Sequence, residues 1–249
     1  MDRPSAIDLF CGLGGWTEGL LAEGYRVVGF DIERHEYGDA KYPAQLVIQD
    51  VRTLHGSQFR DAALIVASPP CQAYSYRAMP WSRAKALPPP DNSLFEACFR
   101  IQREAIEAAG HFIPLVVENV RGAQKWVGRA RWNFGSFYLW GDVPALMPMA
   151  RRGSAIKNAG GSWYRIAHNT TSGKGQNPDG RPLHTPHMTN PDEHGRKVGD
   201  GWFGKDNPSP MRQHHSKSQK RKEASARIAK IPLALSRHIA AVWKPQGAQ

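Results

Sequence analysis

Three short strings in this chain carry residue types that can do chemistry, and each directly follows an apolar run of strand length. Gly12-x-Gly14-Gly15 follows Ala6 to Phe10, Ser68-Pro69-Pro70-Cys71-Gln72 follows Leu64 to Ala67, and Glu118-Asn119 follows Ile113 to Val117. A glycine turn after a strand lets backbone pass close to a ligand and aims amides at it. A nucleotide-type site also predicts an acidic residue about twenty positions on, and Asp31 stands there. Pro69 and Pro70 fix φ and remove two donors, so the loop is stiff and presents Cys71 in a defined direction. A fixed thiol reads as a nucleophile, the competing reading of a lone cysteine being inert packing. Glu118 reads as a carboxyl that holds or shares a proton in a partly desolvated site, or otherwise as a strand-end ion pair. Cys11, inside the glycine loop, reads as filler against a sheet.

The elements that must position these groups alternate in type. Ala6 to Phe10, Arg26 to Phe30, Leu64 to Ala67 and Ile113 to Val117 read as strands, with helix-like stretches between them, which argues for a parallel α/β sheet. Helical spacing of Leu94, Phe95, Cys98, Phe99, Ile101 and Ile106 predicts a helix with Asn92 as its N-cap and Gly110 as its stop. Trp132 to Trp140 alternates and is aromatic enough for one strand. A tail from Ala224 to Trp243 returns to helical spacing through Ile228, Ile231, Leu235 and Ile239, expected to dock on the first region. Between them, Arg151 to Ala226 is rich in Gly, Asn, His and Pro, with fourteen Lys and Arg against six Asp and Glu, and little core of its own. The expected organisation is therefore a catalytic domain over 1–150, a basic recognition segment over 151–223, and a C-terminal helix over 224–249.

Composition narrows the partners. A chain of 249 residues that is 41% hydrophobic can build a core without staples. Three cysteines, with no C-x-x-C pair, indicate neither a disulfide framework nor a zinc site, and the ten histidines lack ligand spacing. No metal is expected. The N-terminal residues show no signal pattern and no long apolar stretch follows, so a soluble, cytoplasmic protein without a membrane partner is the expectation. A net charge of +11 points to a polyanion, although charge alone fits an anionic membrane surface equally.

Asp8-Leu9-Phe10-Cys11-Gly12-Leu13-Gly14-Gly15, then Ser68-Pro69-Pro70-Cys71-Gln72-Ala73-Tyr74-Ser75, then Val117-Glu118-Asn119-Val120, in that order, resemble the cytosine-5 DNA methyltransferase family. The resemblance covers residues 5 to about 145 and a C-terminal helix. It implies a Rossmann-like methyltransferase sheet with a small irregular basic target-recognition segment, and S-adenosylmethionine as cofactor. Phe10, Gly12, Gly14, Asp31, Asp50 and Pro69 would then hold that cofactor, with Phe10 on the adenine, Asp31 on the ribose and Asp50 on the adenine amine. Read on its own, Asp50 could equally cap a turn. Cys71 would add to C6 of cytosine and Glu118 would act at N3. Arg129 and Arg131 would steady the base, and Gln72, Ser75, Asn119 and Arg121 would line the substrate.

Two departures from the family pattern stand out. Val127 occupies the place of a glutamine before the two arginines, and Lys230 that of an asparagine before Pro232, near the cofactor's expected tail. Lys230 would point to solvent, or would favour an anionic form of the cofactor and transfer of a group other than methyl. The implied function is methylation of C5 of a flipped cytosine in double-stranded DNA by a monomeric, stand-alone enzyme of a bacterium or phage-infected cell, of the kind that modifies DNA against restriction. The alternatives are an RNA cytosine-5 methyltransferase, transfer of a modified group, and a non-catalytic DNA-binding protein. Amino-methylating DNA enzymes also carry a Pro-Pro loop but place an aromatic where Cys71 stands.

Overall fold

Valine, isoleucine, leucine and alanine runs bounded by Gly, Pro and Asp become the strands of one sheet, because a strand covered on both faces must be apolar throughout. The structure is a computed structural model and describes residues 3–74, 88–148 and 219–245. In chain order the elements are β1 (Ser5–Leu9), α1 (Gly15–Ala22), β2 (Arg26–Asp31), β3 (Glu36–Tyr37), β4 (Ala40–Lys41), β5 (Gln45–Ile48), β6 (Ala62–Ala67) and α2 (Ser93–Ala109). These are followed by β7 (Leu115–Asn119), α3 (Gln124–Val127), β8 (Trp132–Phe134), β9 (Phe137–Gly141), α4 (Gln219–Ala229) and α5 (Leu233–Val242). Seven strands form one sheet in the order β5-β2-β1-β6-β7-β9-β8, while β3 and β4 make a separate hairpin. The five strands from β5 to β7 are parallel, β9 runs antiparallel to β7, and β8 runs antiparallel to β9, a doubly wound α/β arrangement of the Rossmann-like kind.

Register puts the chemistry on one edge. Val47 pairs with Phe30, Phe30 with Leu9, Leu9 with Ala67, Ala67 with Val117, and Val117 with Trp140, a single row across six strands. The next residues of the parallel strands are Ile48, Asp31, Phe10, Ser68 and Glu118, so every candidate loop leaves the sheet at its carboxyl edge. Because β2 lies on one side of β1 and β6 on the other, this edge contains the switch point where open α/β sheets bind ligands.

The core matches the apolar runs: Leu9, Leu64, Ile65, Leu115 and Val117 are fully buried. Helix α2 covers it with Phe95, Cys98, Ile101 and Ala105 and ends at Gly110, whose φ of 70° is the left-handed stop expected there. Its cap differs from expectation. Asn92 stands at the N-cap, but the capping oxygen is Asp91 Oδ1, which accepts from Ser93 N at 2.8 Å. The Asn92 side chain accepts from the Tyr74 hydroxyl at 2.9 Å and donates to Trp126 O, tying the helix to two loops instead. The aromatic stretch from Trp132 to Trp140 is two strands rather than one, because Gly135, with φ of 61°, turns the chain back.

The chain divides into two units, Met1–Met149 with Lys230–Gln249, and Ala150–Ala229. Helical spacing from Ala224 to Trp243 resolves into two helices, since Pro232 has no N–H to donate and disfavours helical backbone at Ile231. In the first unit α5 lies on α1. Leu235 and Ile239 are fully buried, a Cβ at Gly19 would strike Ser236, Tyr25 Oη donates to Ala240 O at 3.0 Å, and Arg237 pairs with Glu23 at 2.7 Å. Burying the two apolar side chains is worth about 2 kcal/mol each. In the second unit α4 is described, with Arg227 bonded to Glu223 at 2.9 Å one turn away. The rest of the expected recognition segment, 151–218, lies outside the described residues, as does the side chain of Ile228.

Candidate active site

Strain marks the first loop. Phe10, half-buried against the core, has φ of 56°, the one positive φ outside glycine among the described residues. Backbone held there costs free energy and tends to persist where function requires it. Gly12 follows with φ of 50°, and a Cβ placed on it would meet nothing within 4 Å, so the loop leaves open space over its backbone. Gly14, with φ of 75°, caps α1, and a Cβ on Gly15 would strike the backbone of Ile231. The loop is held by Asp31, whose Oδ2 accepts from Gly12 N at 2.9 Å and whose Oδ1 accepts from Ile32 N at 2.8 Å. Asp31 therefore sits at the loop as expected and also fastens β1 to β2. Oδ1 also accepts from Glu33 N at 3.4 Å, and a carboxylate retains lone-pair capacity beyond these bonds.

Asp50 differs from the adenine-binding expectation. Its Oδ1 accepts from Arg52 N at 2.9 Å, and the Arg52 guanidinium grips both oxygens, at 2.6 Å for Nη2. These bonds hold its carboxyl below the usual range. The carboxylate is thus occupied in capping its own turn, the other reading the residues allowed. Sequence reasoning missed Ile32, 67% exposed beside Asp31 at the strand end. The available signal was a large apolar residue directly after the acidic one, where the chain has already left the sheet.

The thiol loop is pinned from three sides. Ser68 N donates to Leu9 O at 3.1 Å, Trp16 Nε1 donates to Ser68 Oγ at 3.0 Å, and Asn119 Nδ2 donates to the buried Pro69 O at 2.9 Å. Asn119 is 1% exposed and its Oδ1 accepts from Val120 N, so its side chain positions loops rather than lining a substrate as expected. Cys71 is half-buried at the end of this loop, and its carbonyl accepts from Tyr74 N at 3.0 Å across the Gln72–Tyr74 turn. Gln72 is exposed, and Ser75 lies outside the described residues. The other two cysteines are buried. Desolvation, then the carboxyls of Asp8 and Asp31, push the Cys11 thiol far up, and desolvation does the same to Cys98.

Glu118 is half-buried at the end of β7, in register with Leu139 on β9 and one residue from Asn119. The Asn119 bond to Pro69 therefore ties the strand end bearing Glu118 to the loop bearing Cys71. Arg129 and Arg131 are both exposed and flank a half-buried Ala130. Three bonds hold that segment: Trp140 Nε1 to Gly128 O at 2.9 Å, Ala130 N to Gln124 Oε1 at 3.2 Å, and Arg131 N to Leu139 O at 2.8 Å. Gln124 thus supplies an amide acceptor in a segment where Val127 has none. Arg121 is exposed in the turn after Asn119. Lys230 does not simply face solvent, because its Nζ pairs with Glu18 Oε1 on α1 at 2.5 Å.

Residues 5–126 match the family model described as C-5 cytosine-specific DNA methylase. The matched stretch makes up just under half of the chain. No curated protein matches the chain. Among solved structures the domain is similar to a prophage-encoded protein described as a DNA modification methyltransferase (E. coli), with 24% identity, 50% of this chain and 34% of that one covered, and a TM-score of 0.35. It is also similar to the S. pombe Dnmt2 methyltransferase, at 20% identity, 49% and 38% coverage, and a TM-score of 0.34. The Entamoeba histolytica methyltransferase EhMeth gives 14% identity, 67% and 63% coverage, and a TM-score of 0.39. The matched part spans about a third of the first two of these chains.

The carboxyl edge fits the S-adenosylmethionine that the resemblance to cytosine-5 methyltransferases implies. The open side of Gly12, the carboxylate of Asp31, the ring of Phe10 and the exposed face of Ile32 offer close approach to backbone, an acceptor and two apolar surfaces on one loop cluster. Among the described residues no cluster of His, Cys, Asp and Glu could hold a metal ion, and no helix is long and apolar enough to cross a membrane.

Proposed function

We propose that this chain methylates C5 of cytosine in double-stranded DNA through a covalent Cys71 adduct at C6. The observation that carries the reading is the buried bond from Asn119 Nδ2 to Pro69 O, which fastens the nucleophile's loop to the strand end of Glu118. C5 of cytosine is a poor nucleophile, so a thiolate from Cys71 adds to C6 while Glu118 holds a proton at N3, and the ring's electrons move toward C5. S-adenosylmethionine, when bound, supplies the electrophilic methyl that C5 takes up. Loss of the C5 proton to a base then expels Cys71 and restores the ring. Arg129 and Arg131, exposed on their pinned segment, hold the flipped base and its adduct. The basic stretch from Arg151 to Ala226 supplies phosphate contacts to the duplex, making binding strongly salt-dependent. The pairing of Lys230 with Glu18 leaves its charge already met, which supports methyl rather than an anionic group as the cargo.

Mass spectrometry of nucleosides from DNA and RNA of a bacterial host expressing the protein, beside a Cys71→Ser control, tests the reading. 5-Methylcytosine in DNA that disappears in the control is the expected result. The same mark in RNA alone would replace the substrate. A heavier cytosine adduct would replace the transferred group, and unchanged nucleosides would refute catalysis.

A further inference from the structure

The indole of Trp16 offers a polar contact where its burial would make a plain hydrocarbon ring sufficient. Trp16 is 2% exposed in the first turn of α1, the helix that begins at the glycine loop, and its Nε1 donates to Ser68 Oγ at 3.0 Å. Ser68 is half-buried and lies three residues before Cys71. Pro69 and Pro70 fill the interval, so the backbone between them has little freedom and a shift at Ser68 is passed on to the thiol. The bond spans 52 residues of sequence and joins the two loops that face the cofactor and the base.

We infer that Trp16 is a positioning residue, which through the Ser68 hydroxyl sets where the Cys71 sulfur stands relative to C6 of the target base. This rests on the proposed covalent mechanism. A backbone bond from Ser68 N to Leu9 O already anchors Ser68 to β1, and Asn119 anchors Pro69 from the other side. Trp16 closes the remaining direction, from the α1 face. An ordinary hydrogen bond of this kind sets the scale of the effect, about threefold to tenfold in the step that Cys71 performs.

Addition of Cys71 to C6 labilises the C5 hydrogen even without methyl transfer, so tritium release from 5-tritiated cytosine in duplex DNA, measured without cofactor, reports that step alone. Trp16→Phe keeps the aromatic ring and removes the N–H, while Ser68→Ala removes the acceptor and leaves the core intact. Each is expected to slow tritium release about threefold to tenfold. The double variant should be no slower than the worse single, because both remove the same bond. S-Adenosylhomocysteine affinity should stay within about twofold, separating positioning from general damage to the cofactor loop. Unchanged tritium release in Ser68→Ala, or effects that multiply in the double variant, would overturn the inference. Absence of both release and methylation in the wild type would instead overturn the proposed function.

Discussion

Asp8 makes stability depend on pH in an unusual direction. It is the next-to-last residue of β1 and is 0% exposed; its Oδ2 accepts from Thr17 Oγ1 at 2.6 Å, Thr17 shares a further bond of 2.6 Å with Tyr42, and Asp8 Oδ1 has no partner. Burial raises its pKa from 3.8 to about 7, opposed by the Thr17 bond and reinforced by the charge of Asp31. The unfolded chain releases this proton first, so stability is greatest at low pH, falls as pH rises above 3.8, and levels off once the native carboxyl ionises near pH 7. The gap of about three units corresponds to about 4 kcal/mol in all, of which about 3 kcal/mol lies between pH 5 and pH 8. Cys11 and Tyr42, which face Asp8, are themselves pushed up by burial and stay protonated across this window. Asp8→Asn keeps the shape and removes the proton. Thermal melts of both proteins across that window should show the variant gaining on the wild type by about 6 to 12 °C toward the alkaline end. Other titrating groups act equally on both and cancel in the difference. Parallel curves would refute the reasoning, since they would mean that Asp8 ionises alike in the folded and unfolded chain.

Three further outcomes follow from the site. Iodoacetamide applied to the folded protein should label Cys71 and spare Cys11 and Cys98, which are 6% and 0% exposed, as peptide mass spectrometry would show; equal labelling would contradict the fold. Glu118→Gln should retain DNA binding in a filter assay while lowering the single-turnover methylation rate by about a hundredfold or more, because an amide cannot give N3 a proton. Asn119→Ala should leave the Pro69 carbonyl buried without its donor, costing about 1 to 3 kcal/mol in a urea melt, together with a lower kcat at unchanged cofactor KM.

How far the sequence could be read depends on which interactions are local. The central strands are apolar on both faces, and their ends coincide with the acidic, glycine and proline residues of the candidate loops, so β1, β2, β6, β7 and the placing of those loops on the carboxyl edge were legible. Edge strand β5, with Gln45 and Ile48 exposed, has no such run and left no comparable signal. The break between β8 and β9 was hidden because Gly135-Ser136 interrupts an otherwise continuous aromatic alternation. At α2 the cap fell one residue away because Asp91 and Asn92 are both good caps, and only the Tyr74 hydroxyl and the Trp126 carbonyl, distant in sequence, decide which side chain is drawn off.

The contacts that tie the candidate loops together belong to a different class. Trp16 to Ser68 spans 52 residues, Asn119 to Pro69 spans 50, and Lys230 to Glu18 spans 212. None follows from a period or a motif, because each depends on strand order and register, which are themselves products of the whole fold. Lys230 shows the consequence. By residue type and place it invited a role toward a ligand's charge, and the fold gives it Glu18 instead, one turn along the helix that begins at the glycine loop. Cys71, Glu118 and the glycine turn are therefore readable one at a time, while their relative placement is written in side chains such as Trp16, Asn119 and Gln124. The same separation means that these three can be substituted without touching Cys71 or Glu118, and a loss beyond the change in stability measures alignment.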